Sequence, residues 1–213
     1  MPALTIVMGI LVVILIGLGI AWRQASRHDQ IPCPTSLAWM VDNPLAGIVS
    51  GTQTTLDRIG IEPGMRLLDV GCGPGRLSIP AAGRVGPGGT VMAFDVQEGM
   101  IALLKNKAAQ KGITNIETRL GDIAADQSLP ADHFDRAWMV TVLGEVPDQA
   151  GALRTLLRVI RPGGTLTIVE TVRDPHFQRR AGVETLCREA GFVPGRFWGP
   201  AWDYTWNFIK PGA

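Results

Sequence analysis

Three alternating glycines and three acids hold the chemistry this chain suggests. Asp69, Gly71, Gly73 and Gly75 fall in the run Met65-Arg66-Leu67-Leu68-Asp69-Val70-Gly71-Cys72-Gly73-Pro74-Gly75-Arg76. Leu67 to Val70 read as a short buried strand, and a helix-like run starts at Arg76-Leu77-Ser78-Ile79. Strand, glycine loop, helix is a layout in which backbone passes close to a nucleotide-like ligand. Glycine suits such a loop because a Cβ would strike the ligand or because φ must be positive. Asp95 follows Gly75 by 20 residues, and Asp122 comes later. A lone acid is more often a helix cap or a solvated loop end. These acids gain weight from their position relative to the loop.

The elements that must carry these groups alternate. A helix is expected over Leu45 to Ile59, from the spacing of Leu45, Ile48, Val49, Leu56 and Ile59. After the glycine loop, Arg76 to Val85 reads as a helix bent by Pro80. Thr90 to Asp95 is a second strand, Met100 to Gln110 a helix, Ile116 to Leu120 a third strand and Phe134 to Val140 a fourth. Ala150 to Ile160 is a helix, and Arg161-Pro162-Gly163-Gly164 a turn into the strand Thr165 to Glu170. A last helix, Arg179 to Ala190, sets Val183, Leu186, Cys187 and Ala190 on one face. Strands near Val193 to Trp198 and Tyr204 to Ile209 close the chain. Such alternation predicts an α/β fold with a doubly wound sheet. Gly71 to Gly75, Asp95, Asp122 and the residues after Val140 then meet at the carboxyl ends of the strands, where such sheets bind ligands.

The chain has 213 residues, enough for one domain with a proper core. Its net charge of +1 points to no nucleic-acid partner. Cys33, Cys72 and Cys187 are widely spaced and odd in number, with no zinc-like pattern, so free thiols in a reducing compartment are expected. His28, His133 and His176 lie far apart, and no metal is expected. No G-x-S-x-G elbow is present.

Leu4 to Trp22 is a run of 19 uncharged residues. As a helix it would be roughly 28 Å long, close to a bilayer's hydrocarbon thickness. Trp22 sits at one end, and Arg23 and Arg27 follow with no Lys or Arg before the run. This predicts a single-pass membrane anchor in contact with the lipid bilayer, with the rest of the chain on the cytoplasmic side. A cleaved signal peptide fits less well, because there is no basic start and no A-x-A site. A buried core helix would need a polar face. The expected division is an anchor at 1–26, a linker and possible substrate lid at 27–50, and the main domain at 51–213. Ser36 to Val41 within the linker reads as a cap or a lid.

Three ligands compete for the glycine loop. A dinucleotide fingerprint wants G-x-G-x-x-G, but position 76 is Arg. A phosphate-binding P-loop wants a Lys that is absent. The remaining pattern, D-x-G-x-G-x-G, resembles that of class I S-adenosylmethionine (SAM)-dependent methyltransferases. The resemblance covers about Thr52 to Lys210. It is carried by Leu67 to Gly75, Ala93-Phe94-Asp95, Gly121-Asp122, Phe134-Asp135 with Val142 to Asp148, and Leu157 to Gly164. It looks most like the ubiquinone/menaquinone-type small-molecule branch, and implies a Rossmann-like methyltransferase sheet.

The resemblance also implies roles. Gly71, Cys72, Gly73 and Gly75 would let backbone approach the methionine part of SAM, and Asp69 would hold its ammonium or fix the loop. Asp95 would accept both ribose hydroxyls. Asp122 would lie beside the adenine amine, with Ile123, Val96 and Met100 against the ring. Cys72 itself reads as a small turn residue rather than a reactive thiol.

Methyl transfer from a sulfonium asks mainly for alignment and exclusion of water. The acceptor would approach over Thr141 to Asp148. Many relatives carry His where this chain has Gly144. Glu145 and His176 are the candidate bases, against a structural contact for Glu145 and a surface position for His176. Trp198, Trp202, Tyr204 and Trp206 cluster near the end, as core packing or as an acceptor pocket. The expected function is a membrane-anchored methyltransferase for a small, lipophilic acceptor such as a quinone precursor, lipid or thiol. The alternative is a SAM-binding or assembly protein without turnover.

Overall fold

The computed structural model describes Thr35 and residues 51–212. The expected anchor, the linker apart from Thr35, the first turns of the helix expected from Leu45, and Cys33 lie outside the described residues. Among the described residues no helix is long and apolar enough to cross a membrane. In chain order the elements are α1 (Thr52–Ile59), β1 (Arg66–Val70), α2 (Ser78–Val85), β2 (Thr90–Asp95) and α3 (Glu98–Gln110). Then come β3 (Ile116–Leu120), β4 (Phe134–Val140), a 3₁₀ turn (Leu143–Glu145), α4 (Gln149–Val159), β5 (Ile160–Thr171), α5 (Arg180–Ala190), β6 (Val193–Trp198) and β7 (Asp203–Ile209).

The seven strands form one sheet in the order β3-β2-β1-β4-β5-β7-β6. The five strands from β3 to β5 are parallel, while β7 runs antiparallel to β5 and to β6. The expected doubly wound α/β sheet is therefore present, with an antiparallel hairpin making it mixed. Strand order reverses between β1 and β4, so the crevice opens at the ends of those two strands.

A parallel strand covered on both faces reads as a continuous apolar run. Alternate side chains then go to opposite layers. Leu67, Val91 and Trp138 pack with Leu56 and Ile59 of α1 and Ala81 and Val85 of α2. Leu68, Val70, Ala137 and Met139 pack with Leu153 and Leu156 of α4 and Val183 of α5. Each fully buried Leu or Met contributes about 1.5–3 kcal/mol. These layers hold the carboxyl ends of β1, β2 and β4 in one plane.

The structure corrects several sequence expectations. Arg161 to Gly164 is no turn before β5 but a bulge inside it. Phe134 pairs with Ile160 and Arg136 with Thr165. The extra residues stay in the sheet because Gly163 N–H donates to the Lys210 carbonyl (2.9 Å) and Lys210 N–H to the Gly164 carbonyl (3.0 Å). Arg161 Nε also donates to Asp135 Oδ1 (2.6 Å). The helix expected from Arg76 begins at Ser78. Pro80 thus sits in its first turn, where an N–H would have no intrahelical partner, and so it need not break the ladder. Trp202, Tyr204 and Trp206 occupy alternate positions but do not share one face of a strand. Trp202 precedes β7 and is 63% exposed, whereas Tyr204 and Trp206 are buried against Phe197, at ring distances of 5.6 and 5.2 Å. Their apolar faces complete the sheet's core instead of lining a crevice.

Candidate functional site

The chain leaves β1 at Val70 and turns sharply through Gly71 to Gly75. Gly71 has φ of +70°, and a Cβ there would overlap the Val142 side chain at the end of β4. Its amide and that of Cys72 both donate to the Phe94 carbonyl (2.8 and 3.0 Å), which ties the loop to β2. Gly73, at φ +51°, has nothing within 4 Å of a would-be Cβ. The backbone there faces open space, and its N–H donates to Asp95 Oδ2 (2.9 Å). The other carboxylate oxygen of Asp95 accepts the Gln97 N–H (2.9 Å) at the start of α3. Asp95 therefore joins the glycine loop to the next helix. Burial raises its pKa, and these amide hydrogen bonds oppose the rise.

Between these groups lies a cavity of about 430 Å³ with mostly apolar walls. It is lined by Gly71, Gly73, Asp95, Val96, Met100, Asp122 and Ile123 from the expected binding set, and by Glu145 from the expected bases. Met100 and Ile123 are buried, whereas Val96 is 58% exposed at the rim. Asp122 is exposed, and its Oδ1 accepts the Ala124 N–H (2.9 Å), so it also caps its own turn.

Asp69, Cys72 and Gly75 stand behind the cavity wall rather than in it. Asp69 shares the side of β1 that faces α2, and accepts a 2.6 Å hydrogen bond from the Ser78 hydroxyl. Burial pushes its carboxyl up to about 7, against the pull of that hydrogen bond. Of its two expected roles, this geometry serves the fixing of the loop. Cys72 is buried against Ala93, Ile101 and Leu104, and burial pushes its thiol up, which leaves it unreactive. Cys187 is a second buried free thiol, pushed up to about 12. Gly75 admits the Leu104 and Ile79 side chains, 3.0 and 3.2 Å from a would-be Cβ.

The far end of the cavity is built by β4 and β5. Thr141 and Val142 follow β4, and Thr141 holds φ +56°, an outlier for a β-branched residue. Its N–H donates to the Val169 carbonyl (2.8 Å), which keeps the bend pinned to β5. Glu145 and Asp174 line this end. His176 Nδ1 lies 3.7 Å from Glu145 Oε1 and 3.7 Å from Asp174 Oδ1. His176 is no surface residue: it is 5% exposed and does not line the cavity. Its carbonyl occupies the space that a side chain at Gly144 would need. None of Trp198, Trp202, Tyr204 and Trp206 reaches the cavity.

Two features escaped the sequence reading. Glu170, at the end of β5, is 1% exposed and pushed up to about 8, chiefly by burial. An acid in the strand Thr165-Leu166-Thr167-Ile168-Val169-Glu170 was the only available signal. Asp174 and Gln97 also line the cavity, from loops that carry no motif.

A family model described as a methyltransferase domain matches residues 61–201. Nocamycin O-methyltransferase from Saccharothrix syringae is 36% identical over 151 residues, which are 67% of this chain and 54% of that protein. The ubiquinone/menaquinone biosynthesis C-methyltransferase of a Shewanella strain is 33% identical over 122 residues, 57% of this chain and 49% of that protein. The chain thus spans about half the length of the curated relatives it matches. A solved SAM-dependent methyltransferase from Aquifex aeolicus superposes with a TM-score of 0.77 at 24% identity, over 84% of this chain and 99% of that one. At that identity the likeness bears on the fold.

Proposed function

The chain belongs to the methyltransferase-domain family, and from that membership we propose that it transfers the methyl group of SAM to a small, apolar acceptor. The observation that carries this reading is the closure of Asp95 on Gly73 at the cavity wall. Each Asp95 oxygen accepts one amide N–H and has a second lone pair, so the carboxylate can still receive a pair of ribose hydroxyls. Gly73 offers backbone with no side chain in the way, and Met100, Ile123 and Val96 offer apolar faces to a flat ring. The cavity volume falls in the range of small-molecule sites, about 300–1,000 Å³. When bound, SAM supplies a methyl group already activated by its sulfonium. This chain's residues have to hold it, exclude water and align an acceptor.

The same proposal includes the anchor. Thr35 is seated at the cavity rim, its hydroxyl 3.3 Å from Gln97 Oε1 and its methyl against Gly99. It lies only 13 positions after Trp22. Even fully extended, these positions span at most about 45 Å. A helix through residues 4–22 of a bilayer would hold the cavity close to the cytoplasmic membrane surface, where a lipophilic acceptor such as a lipid or quinone precursor partitions. Apolar walls from Val140, Val142 and Val146 suit such a molecule.

The test uses the full chain in membranes. SAM binding is measured by calorimetry, and a total membrane extract is incubated with methyl-labelled SAM. Label in the lipid-soluble fraction, lost in Asp95→Ala, is the expected result. No SAM binding overturns the reading, and binding without transfer to any fraction favours a SAM-binding protein without turnover.

A further inference from the structure

Asp95 ends β2, and Asp174 follows β5. The order β2-β1-β4-β5 separates them by three strand spacings, about 14 Å. If the donor is held at the Asp95 end, the reacting atoms lie toward Glu145 and Asp174. This end combines apolar walls from Val140, Val142, Val146 and Pro147 with two carboxylates and, behind them, an imidazole.

The backbone that carries the imidazole is held there by several contacts. His176 N–H donates to Asp174 Oδ1 (2.7 Å), and its carbonyl accepts from Gln178 Nε2 (2.8 Å). The Gln178 N–H donates to Glu170 Oε2 (3.0 Å), and the Gln178 carbonyl accepts from the Tyr204 hydroxyl (2.9 Å). The other oxygen of Glu170 is buried with no hydrogen-bond partner among the described residues. A buried carboxyl left half-satisfied is costly. Here the carboxyl underlies the loop that carries His176, through the Gln178 N–H that it accepts. Gly144 completes the arrangement, because any Cβ there would drive the His176 carbonyl away from the 3₁₀ turn that presents Glu145.

We propose that Glu145 is the base that takes the proton of a weakly acidic hydroxyl on an apolar acceptor, with His176 as the positioning residue behind it. This rests on the SAM reading above. Asp174 is tied to its own loop, its Oδ1 accepting the His176 N–H, whereas Glu145 is presented by the 3₁₀ turn that follows β4, where the acceptor enters over Val142 and Val146. In the step, the acceptor O–H bond breaks and its proton goes to a Glu145 carboxylate oxygen. The acceptor oxygen forms a bond to the sulfonium methyl carbon. The carbon–sulfur bond breaks, and its electron pair leaves with sulfur as a neutral thioether. Charge balances, since a carboxylate and a sulfonium become a carboxylic acid and a thioether. The 3.7 Å between Glu145 and His176 is beyond hydrogen-bond range, and catalytic pairs commonly tighten to it only in the complex. A hydroxyl of phenol type, with a pKa near 10, needs such a base at neutral pH far more than a thiol near 8.5. The charged groups facing the pair are Asp174 from its loop and Glu170 from β5.

The experiment uses the full chain with methyl-labelled SAM, and with an alkylphenol and an alkanethiol of equal chain length as acceptors. Transfer to the phenol is expected to fall about 100-fold in kcat in Glu145→Gln, within the range for a general base. The acid limb of the pH profile should disappear with it, and Glu145→Asp should restore part of the rate. His176→Asn should lower kcat about 10-fold with KM for SAM unchanged, and should move that acid limb. Transfer to the thiol should change less in both variants. Full phenol activity in Glu145→Gln overturns the inference, as does label on the thiol alone or on neither probe while SAM binds. Failure of SAM to bind the unmodified chain instead overturns the reading on which it rests.

Discussion

The two ends of the cavity are built by different means. At the Asp95 end, short-range chain geometry does most of the work. Gly71 and Gly73 follow β1, Asp95 ends the adjacent β2, and backbone amides supply the hydrogen bonds. At the Glu145 end, the turn after β4, β5, the loop before α5 and β7 meet through side-chain contacts that span up to 31 positions. The first kind of site depends on where φ must be positive. The second depends on which loops press together.

That difference is open to attack, beginning with the largest effect. Asp95→Ala removes a carboxylate that holds Gly73 and Gln97 and that would hold two hydroxyls. Charge-assisted hydrogen bonds contribute roughly 1.5–3 kcal/mol each. The expected outcome is a rise of about 100-fold in the SAM dissociation constant by calorimetry, with Tm lowered by several degrees because the Gly73 and Gln97 amides lose their acceptor. A shift confined to turnover would break the assignment of this end to the donor.

Gly144→Ala attacks the other end. The new Cβ overlaps the His176 carbonyl and lies 2.7 Å from Gln178 Nε2. Overpacking of this kind costs about 1–3 kcal/mol. Tm should fall by several degrees and label transfer by about 10-fold, while SAM affinity stays within a factor of about two. Equal losses in binding and transfer would show that the two ends are not separable.

The smallest effect concerns two buried carboxyls, one beside each end. Asp69 is pushed up to about 7 and Glu170 to about 8, in both cases chiefly by burial. Both bind protons more tightly in the folded chain than in the unfolded one. The stability they contribute is present at acid pH and is lost as pH rises from the ordinary carboxylate range through about 7 and about 8. Tm should therefore fall from pH 5 to pH 8. Glu170→Gln should flatten the upper part of that fall, and Asp69→Asn the lower part. For a chain of this size, a change of 1 kcal/mol moves Tm by about 2–4 °C, which scanning calorimetry resolves. Parallel curves for the parent and both variants would remove the burial argument.

Much of the fold was legible because its signals are local. β2, β3 and β4 occur at the expected residues, since turn residues bound each of them in the chain. The loop was legible because three alternate glycines after an acid have few other uses. Less legible were elements whose shape depends on a partner. Arg161 to Gly164 looks like a turn until Lys210 and Asp135 pair with it. Trp202, Tyr204 and Trp206 look like one face until the β6–β7 hairpin leaves the first of them outside.

By itself, the sequence determined the order of the elements, the glycine loop and the acid at the end of β2, because dihedral needs and apolar periodicity act over a few residues. Only the tertiary structure decided that Asp69, Cys72 and Gly75 stand behind the cavity wall. It also decided that His176, 31 positions from Glu145, lies 3.7 Å from that carboxylate while Glu170 is buried beneath the same loop. Those outcomes depend on how β5 and its loop pack on β4, and contacts between distant segments leave no spacing in the chain to be read.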